Sequence, residues 1–264
     1  FSTLGAILAL AFIFIVYNQG IKGFIFSLIL LCIALFFIQD SLISRYEYFM
    51  SGDDGSNNVK LEVLEYLFSN KIVTLTEADK QIWEKKTIGK AEIIAISNPS
   101  PYAISEHVPS QMNKTVLAVG RLTYQKGFDL LIQAWKLVKN EPHFSEWKLN
   151  IVGEGEDKKL LEQIILDLEL STSVNLFPFS NTLSEYYESS SVYALSSRFE
   201  GLGMVLMEAQ SFGLPAVSFD CEFGPSEILD HNKSGFLCNP EDVSDLALKL
   251  KALMSLSEQE YNSM

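Results

Sequence analysis

The sequence has few cysteine residues and no excess of positive charge. Its three cysteines, Cys32, Cys221 and Cys238, are too few and too scattered for a disulfide framework or a zinc site. Lysine and arginine number 20 against 33 aspartates and glutamates, which gives a net charge of −13. This balance argues against extended binding to nucleic acid, and the scarcity of cysteine indicates a reducing, cytoplasmic setting for the globular part.

Charged residues are also scarce at the start of the chain. Residues 4–17 and 24–38 are almost purely apolar, and Lys22 is the only charge in the turn between them. Each run is somewhat short of the roughly 20 residues that a spanning helix needs, and extending the second back to Ile21 nearly closes the gap. A cleaved signal peptide fits less well, because there is no basic n-region and a second apolar run follows.

We therefore predict a transmembrane helical hairpin over residues 1–40. A linker over 41–70 follows, since Gly, Asp, Asn and Ser cluster at 51–58. The start at Phe1 also leads us to expect an internal fragment.

Residues 113–256 alternate short apolar runs with amphipathic segments. Such alternation predicts an α/β fold in which a parallel, Rossmann-like sheet is covered on both faces. The strands are expected at 115–119, 148–152, 174–177, 191–195, 216–219 and 235–238. Gly153-Glu-Gly155 lacks the third glycine and the ribose-binding acid of a dinucleotide site, so we interpret it as a strand-to-helix connection.

The segment Ser196–Leu214 is the strongest candidate for a functional site. A predicted strand runs into Glu200, and a glycine-containing turn then starts a helix that carries Glu208. Free N–H groups at such a helix start can bind an anion, and a carboxylate can accept hydrogen bonds from ribose hydroxyls, as a sugar nucleotide requires. The turn and helix start comprise Gly201, Gly203, Met204 and Val205. Taken alone, the two glutamates favour a surface loop followed by an amphipathic helix.

A second segment, residues 116–126, ends another predicted strand. Gly120 is followed by Arg121 and, five residues later, by Lys126. Open α/β sheets bind ligands at the carboxyl ends of their strands, so we expect both cations to face one anion there. Each cation by itself also fits a solvated loop charge.

Together these motifs resemble the nucleotide-sugar domain of retaining GT-B glycosyltransferases, in the glycosyltransferase family 4 group. The residues concerned are Val-Gly-Arg, Lys126-Gly127, the Glu200 and Glu208 pair, the run 211–221 and Gly224-Pro-Ser-Glu-Ile228. The resemblance covers residues 71–256 and implies one GT-B half at 113–256, with 257–264 as a tail. Residues 71–112 then resemble a remnant of the acceptor domain with the interdomain connection.

The resemblance implies a role for each site residue. Arg121 and Lys126 hold the diphosphate with the amides of Gly203, Met204 and Val205. Glu208 takes the ribose hydroxyls, and Glu200 lies against the transferred sugar, so that Glu200, Arg121 and Lys126 form the catalytic set. The remaining donor-binding residues are Gly120, Gly201 and Phe179, the last beside the base. No metal and no other cofactor is implied, since the cations supply the positive charge.

The implied activity is retaining transfer of a hexose or N-acetylhexosamine from a UDP-sugar donor. The expected acceptor is a glycan or an undecaprenyl-linked glycan in O-antigen or capsule assembly. The expected location is the bacterial inner membrane, with the globular domain in the cytoplasm.

Two other interpretations stay open. The chain could bind a nucleotide sugar without transferring it, because most of the acceptor domain is missing from the pattern. The membrane segment also resembles part of an O-antigen polymerase, which would make the chain a fusion of two polysaccharide-assembly pieces. Glu227 is left between a contact to the sugar and a charge at a helix N-terminus.

Overall fold

The computed structural model describes residues 70–87, 91–106 and 108–264. These residues belong to one compact unit, Asn70–Met264. The predicted transmembrane hairpin and all but the last residue of the predicted linker lie outside the described residues. Within the described ranges, no helix combines the length and the apolar character needed to cross a membrane.

The first described element is a small βαβ unit. Strand β1 (Lys71–Thr74) pairs in parallel with β2 (Glu92–Ala95), and helix α1 (Glu77–Thr87) connects them. The hydroxyl of Thr76 accepts a hydrogen bond from the Asp79 N–H at 3.1 Å and so caps the start of α1. The unit ends before the Asn98-Pro99 step.

A six-stranded parallel sheet forms the centre of the remaining chain. The order of its strands is β5-β4-β3-β6-β7-β8. The bounds are β3 (Thr115–Val119), β4 (Lys148–Val152), β5 (Val174–Phe177), β6 (Val192–Leu195), β7 (Ala216–Phe219) and β8 (Gly235–Cys238). The predicted parallel Rossmann-like sheet is thereby confirmed, and five of its six predicted strands have the observed bounds.

Helices cover both faces of this sheet. They are α2 (Phe128–Lys139), α3 (Lys158–Asp167), α4 (Leu183–Glu188), α5 (Met204–Ser211), α6 (Pro225–Ile228), α7 (Val243–Met254) and α8 (Glu258–Tyr261). Three 3₁₀ turns occur at Gln111–Asn113, Tyr124–Lys126 and Pro142–Phe144.

Two apolar layers form because successive strand side chains point to opposite faces. On β3, Val116 and Ala118 belong to one layer, which contains buried residues of α2, α3 and α7. Leu117 and Val119 belong to the other layer, which contains residues of α4 and α5. The sheet is thus buried on both sides, as its nearly uninterrupted apolar strands require.

The Gly153–Gly155 connection brings two loops into direct backbone contact. A Cβ atom on Gly153 would lie 1.8 Å from the Gly120 carbonyl oxygen, and one on Gly155 would lie 2.2 Å from that of Leu122. The Leu122 N–H donates to the Glu154 carbonyl oxygen at 2.8 Å. These glycines therefore allow the loop after β4 to support the loop after β3.

The last eight residues, for which the sequence predicts a tail, include the short helix α8. Ser257 and Glu260 form a capping box at the start of α8. The buried Tyr261 donates its hydroxyl to the Ser191 carbonyl oxygen at 2.6 Å. The segment is held to the sheet because one aromatic side chain is buried and fully hydrogen-bonded.

Candidate functional site

The candidate site lies where the direction of strand addition reverses. From β3 the chain proceeds to β4 and β5 on one side, and then returns to place β6 on the other side of β3. Val116 and Leu117 of β3 pair with Val192 and Tyr193 of β6. Ligands in open α/β sheets bind at such a reversal, outside the carboxyl ends of the two strands.

Lys126 and Glu200 meet across this reversal. Lys126 lies in the loop after β3 and Glu200 in the loop after β6, and the Lys126 Nζ donates to the Glu200 Oε1 at 2.6 Å. Their side chains are only 13% and 7% exposed. The hydroxyl of Ser197 donates to the same carboxylate oxygen at 2.6 Å. The two residues therefore form a nearly buried ion pair.

Glycines make room for this pair. A Cβ atom on Gly120 would lie 3.2 Å from Cδ of Lys126, so the missing side chain lets the lysine stem lie against the backbone. Gly127 has a left-handed backbone (φ 60°), and a Cβ atom there would lie 2.1 Å from the Ser196 carbonyl oxygen. The two loops can approach each other at Gly127 because this position lacks a side chain, whereas Gly120 makes room within the loop after β3.

Arg121 is the exposed cation of the site. Its side chain is directed to solvent, and within the described residues it makes no ion pair. Lys126 thus pairs with Glu200 while Arg121 does not, and the expectation that both cations face one anion stays a prediction. Arg121 follows β3 at the same sheet edge.

The start of helix α5 supplies amide groups. Gly203 has φ 83° and precedes the helix without a side-chain cap. The backbone N–H groups of Gly203, Met204 and Val205 donate no hydrogen bond within the described part of the chain. Gly201, for which the sequence suggests a sharp turn, has no left-handed backbone and is exposed, so the special conformation belongs to Gly203 alone.

Glu208 lies one turn further along α5 and has a different partner. The Tyr187 hydroxyl donates to the Glu208 Oε2 at 2.8 Å. Burial raises the pKa of Glu208, and the hydrogen bond from Tyr187 opposes that rise. Burial raises the pKa of the Tyr193 hydroxyl on β6 well above its ordinary value, the hydrogen bond to the Val119 carbonyl oxygen opposes this rise, and the charges of Glu200 and Glu208 add to it.

Arg198 is a site residue that the sequence did not single out. Its Nη1 and Nη2 donate to Asp129 Oδ1 at 2.9 Å and Oδ2 at 2.7 Å. Nε donates to Glu241 at 3.0 Å, and Nη1 also donates to the Tyr124 carbonyl oxygen at 2.7 Å. Its guanidinium carbon lies 4.0 Å from the centroid of the Tyr124 ring.

These contacts join the loop of Lys126 to the loop of Glu200. The Arg198 N–H adds a backbone bond to the Gln125 carbonyl oxygen at 2.8 Å, and the Gln125 amide donates to the Phe199 carbonyl oxygen at 3.0 Å. The hydrogen bonds that Arg198 donates to Asp129 raise the pKa of Arg198 above its ordinary value, although burial opposes this rise in part. Arg198 thus holds the loop after β3 against the loop after β6, beside the Lys126–Glu200 ion pair.

Two further predicted residues lie at the margin of this arrangement. Phe179 follows β5, two strands away from β3, and is 61% exposed. It makes no aromatic ring contact among the described residues.

Glu227 contacts neither the ion pair nor Glu208. Its carboxylate accepts hydrogen bonds from the Glu77 and Ala78 N–H groups at the start of α1, both at 2.9 Å, and Glu227 also lies in the first turn of its own helix α6, so it is a helix N-terminal charge.

Comparison with known proteins identifies the class to which this arrangement belongs. Residues 102–264 match the family described as glycosyl transferases group 1. The chain belongs to this family.

Individual relatives agree with the family. An uncharacterized glycosyltransferase of Haemophilus influenzae is 40% identical over 189 residues, covering 72% of this chain and 53% of the relative. The amylovoran biosynthesis glycosyltransferase AmsD of Erwinia amylovora is 42% identical over 176 residues, covering 64% of this chain and 49% of the relative. The chain thus spans about half the length of these curated relatives.

A solved structure has the same fold. A mutant of S. aureus TarM, in complex with fondaparinux, alpha-GlcNAc-glycerol and UDP, superposes with a TM-score of 0.67 at 28% identity. The match covers 74% of this chain and 38% of TarM.

Proposed function

We propose that this chain provides the donor-binding half of a retaining glycosyltransferase that uses a nucleoside diphosphate sugar, with UDP as the nucleotide. The observation that carries the proposal is the meeting of Lys126 and Glu200 at the strand reversal, next to Arg121 and the free amides of α5. Family membership supports glycosyl transfer, and UDP in the related TarM complex supports the nucleotide.

The proposed chemistry centres on the leaving diphosphate. When the bond between the sugar and the phosphate breaks, negative charge grows on the phosphate oxygen that leaves. Arg121, Lys126 and the amides of Gly203, Met204 and Val205 are the groups in this chain that stabilise that charge, and such preorganised donors usually supply the largest catalytic contribution.

The two glutamates divide the remaining roles. Glu200 is held by Lys126 and Ser197 beside the diphosphate, where its carboxylate accepts hydrogen bonds from the transferred hexose or N-acetylhexosamine. Glu208 accepts from the ribose. In a retaining transfer the leaving phosphate takes the acceptor's proton on the same face of the sugar, so the protein needs no nucleophilic side chain there.

The acceptor and the location remain sequence predictions. A glycan or undecaprenyl-linked acceptor, assembly of O-antigen or capsule, and attachment to the inner membrane follow from the motifs and the apolar first 40 residues. The name of AmsD as an amylovoran biosynthesis enzyme supports surface polysaccharide as the product class.

Calorimetric titration of the full chain with UDP tests the donor site. We expect Arg121→Ala, Lys126→Ala and Glu208→Ala each to lower the affinity by about tenfold or more, since a hydrogen bond to a charged group contributes about 1.5–3 kcal/mol. Lys233→Ala is the matched control, because Lys233 is 77% exposed and pairs only with Asp230. Equal losses in the control and the site variants would contradict the proposed site.

A second candidate is a donor-binding module that transfers nothing. It is kept because every residue assigned above serves the donor and none of them is assigned to an acceptor. Release of UDP from UDP-glucose or UDP-N-acetylglucosamine, measured with and without a lipid-linked glycan, separates the two. Tight UDP binding without any release would favour the module.

A further inference from the structure

Tyr187 is a buried side chain that points its one polar atom at a predicted donor-binding residue. It lies near the end of α4, is 0% exposed, and its hydroxyl donates to the Glu208 Oε2 at 2.8 Å. Glu208 lies on α5, so the bond joins two helices on the same face of the sheet.

Aromatic packing fixes the direction of this bond. The Tyr187 ring stacks on Phe212 with centroids 5.1 Å apart and an interplanar angle of 14°. Tyr102 meets it edge-on at 6.1 Å, and the tilted ring of Tyr193 lies at 6.1 Å. A ring enclosed on several sides cannot change rotamer without disturbing the apolar layer, so its hydroxyl remains in one position.

The hydroxyl also remains a donor. Burial, followed by the charges of Tyr193 and Glu208, raises the pKa of Tyr187 far above its ordinary value. The proton therefore stays on the phenol over the whole working range of pH. An ionised Glu208 carboxylate can only accept hydrogen bonds, so the Tyr187 hydroxyl is the donor and a Glu208 oxygen is the acceptor.

One oxygen of Glu208 is thus occupied and the other is available. Oε1 accepts no hydrogen bond from the described residues. With Oε2 bound to a fixed donor, the plane of the carboxylate is set, and Oε1 presents its lone pairs in a defined direction. A flexible glutamate would have to lose this freedom when a ligand binds.

We propose that Tyr187 is a positioning residue that orients the Glu208 carboxylate to select donors carrying ribose hydroxyls. The inference rests on the proposed function, because it concerns the nucleotide of the same donor. Tyr187 does not touch the donor. It acts through Glu208 and makes the affinity depend on the sugar of the nucleotide.

Binding of two nucleotides to the full chain tests this role. UDP carries both ribose hydroxyls and 2′,3′-dideoxy-UDP carries neither, while the diphosphate and the base are the same. We expect the parent chain to prefer UDP, and Tyr187→Phe to weaken UDP binding by about three- to tenfold, the range for one net hydrogen bond. Binding of the dideoxy nucleotide should stay unchanged.

Tyr261→Phe is the matched control. Tyr261 is also buried and donates its hydroxyl at 2.6 Å, but to the Ser191 carbonyl oxygen. Removing that hydroxyl should change the melting temperature and leave the ratio of the two affinities as in the parent chain. Glu208→Ala should abolish the preference for UDP entirely.

Three outcomes would overturn the inference. If Tyr187→Phe weakens both nucleotides equally, or neither, the tyrosine has only a structural role. If the parent chain binds both nucleotides equally well, Glu208 does not recognise the ribose hydroxyls, and the inference is wrong while the proposed diphosphate site is not contradicted. If a folded parent chain, verified by a cooperative thermal transition, binds neither nucleotide, the proposed function fails and the inference fails with it.

Discussion

The Arg198 side chain contacts two carboxylates that differ strongly in exposure. Its own side chain is 8% exposed; that of Asp129 is 27% exposed and that of Glu241 is 53% exposed. Asp129 receives two parallel hydrogen bonds and Glu241 receives one. One arginine therefore carries a partly buried, bidentate pair and an exposed, single one.

Asp129→Asn removes the charge from the bidentate partner. Breaking a fully buried pair by removal of one partner costs about 3–5 kcal/mol. Here Arg198 keeps its bonds to Glu241 and to the Tyr124 carbonyl oxygen, so we expect a smaller loss of unfolding free energy, about 2 kcal/mol. For a folded unit of this size, that loss lowers the melting temperature by about 4–8 °C.

Glu241→Gln is the matched control on the same arginine. An exposed ion pair contributes about 0–1 kcal/mol, so the control should lose less than half as much stability as Asp129→Asn. Urea titration of the full chain, repeated in high salt, measures both. Salt should reduce the effect of the control more than the effect of Asp129→Asn, because a partly buried pair is screened less.

Asp129 also lies in the first turn of α2, where a negative charge is favourable by about 0.3–1 kcal/mol. A double-mutant cycle with Arg198→Met separates this contribution from the pair. A coupling energy above about 1 kcal/mol supports a stabilising pair between Arg198 and Asp129. A coupling near zero, or equal losses in Asp129→Asn and Glu241→Gln, would refute the reasoning.

Three other predictions concern stability. Burial raises the pKa of Glu208, so ionisation of this carboxyl destabilises the fold as the pH rises from the unfolded-state pKa through the raised folded-state pKa. Glu208→Gln should therefore have a higher melting temperature than the parent chain at pH 7, and the difference should vanish below about pH 4. An equal melting temperature at pH 7 would contradict this. The Thr123 hydroxyl oxygen is buried and has no hydrogen-bond partner among the described residues. Thr123→Val should therefore leave the unfolding free energy from urea titration unchanged or raise it. A loss above about 1 kcal/mol would contradict this and indicate that the hydroxyl is hydrogen-bonded. Gly127→Ala should lower the unfolding free energy by at least about 2 kcal/mol, because Gly127 has a left-handed backbone and lies close to the Ser196 carbonyl oxygen. Gly201→Ala is the control, since its Cβ atom would come no closer than 3.9 Å to another group. In the same titration its unfolding free energy should stay within about 0.5 kcal/mol of the parent value.

The sheet could be predicted from the sequence because its signals are local. Each strand is a short apolar run bounded by turn residues, and each long helix shows an apolar stripe. The start of α2 at Phe128 follows from such a stripe and from Gly127. Residues 257–264 carry the same kind of local signal, a capping box at Ser257 and Glu260, and attention to it would have predicted α8.

The residues that support the site have no such signal. Arg198 occurs in a polar loop, where it looks like a solvated charge, and its partners lie 69 and 43 residues away. Tyr187 belongs to a short helix whose apolar side predicts only core packing. Both owe their roles to hydrogen bonds between elements that are distant in sequence, and no spacing rule applies to such contacts.

The meeting of Lys126 and Glu200 depends on topology more than on either motif. Both residues follow strands of a parallel sheet, and parallel strands bring their carboxyl ends to one edge, so a common edge could be predicted. Contact at 2.6 Å requires in addition that β3 and β6 be neighbours, although two strands separate them in the chain. If β6 had been added beside β5, the same loops would lie three strands apart, about 14 Å at the spacing of neighbouring strands. The strand reversal therefore brings two loop charges together as one ion pair, at the sheet edge where we place the diphosphate.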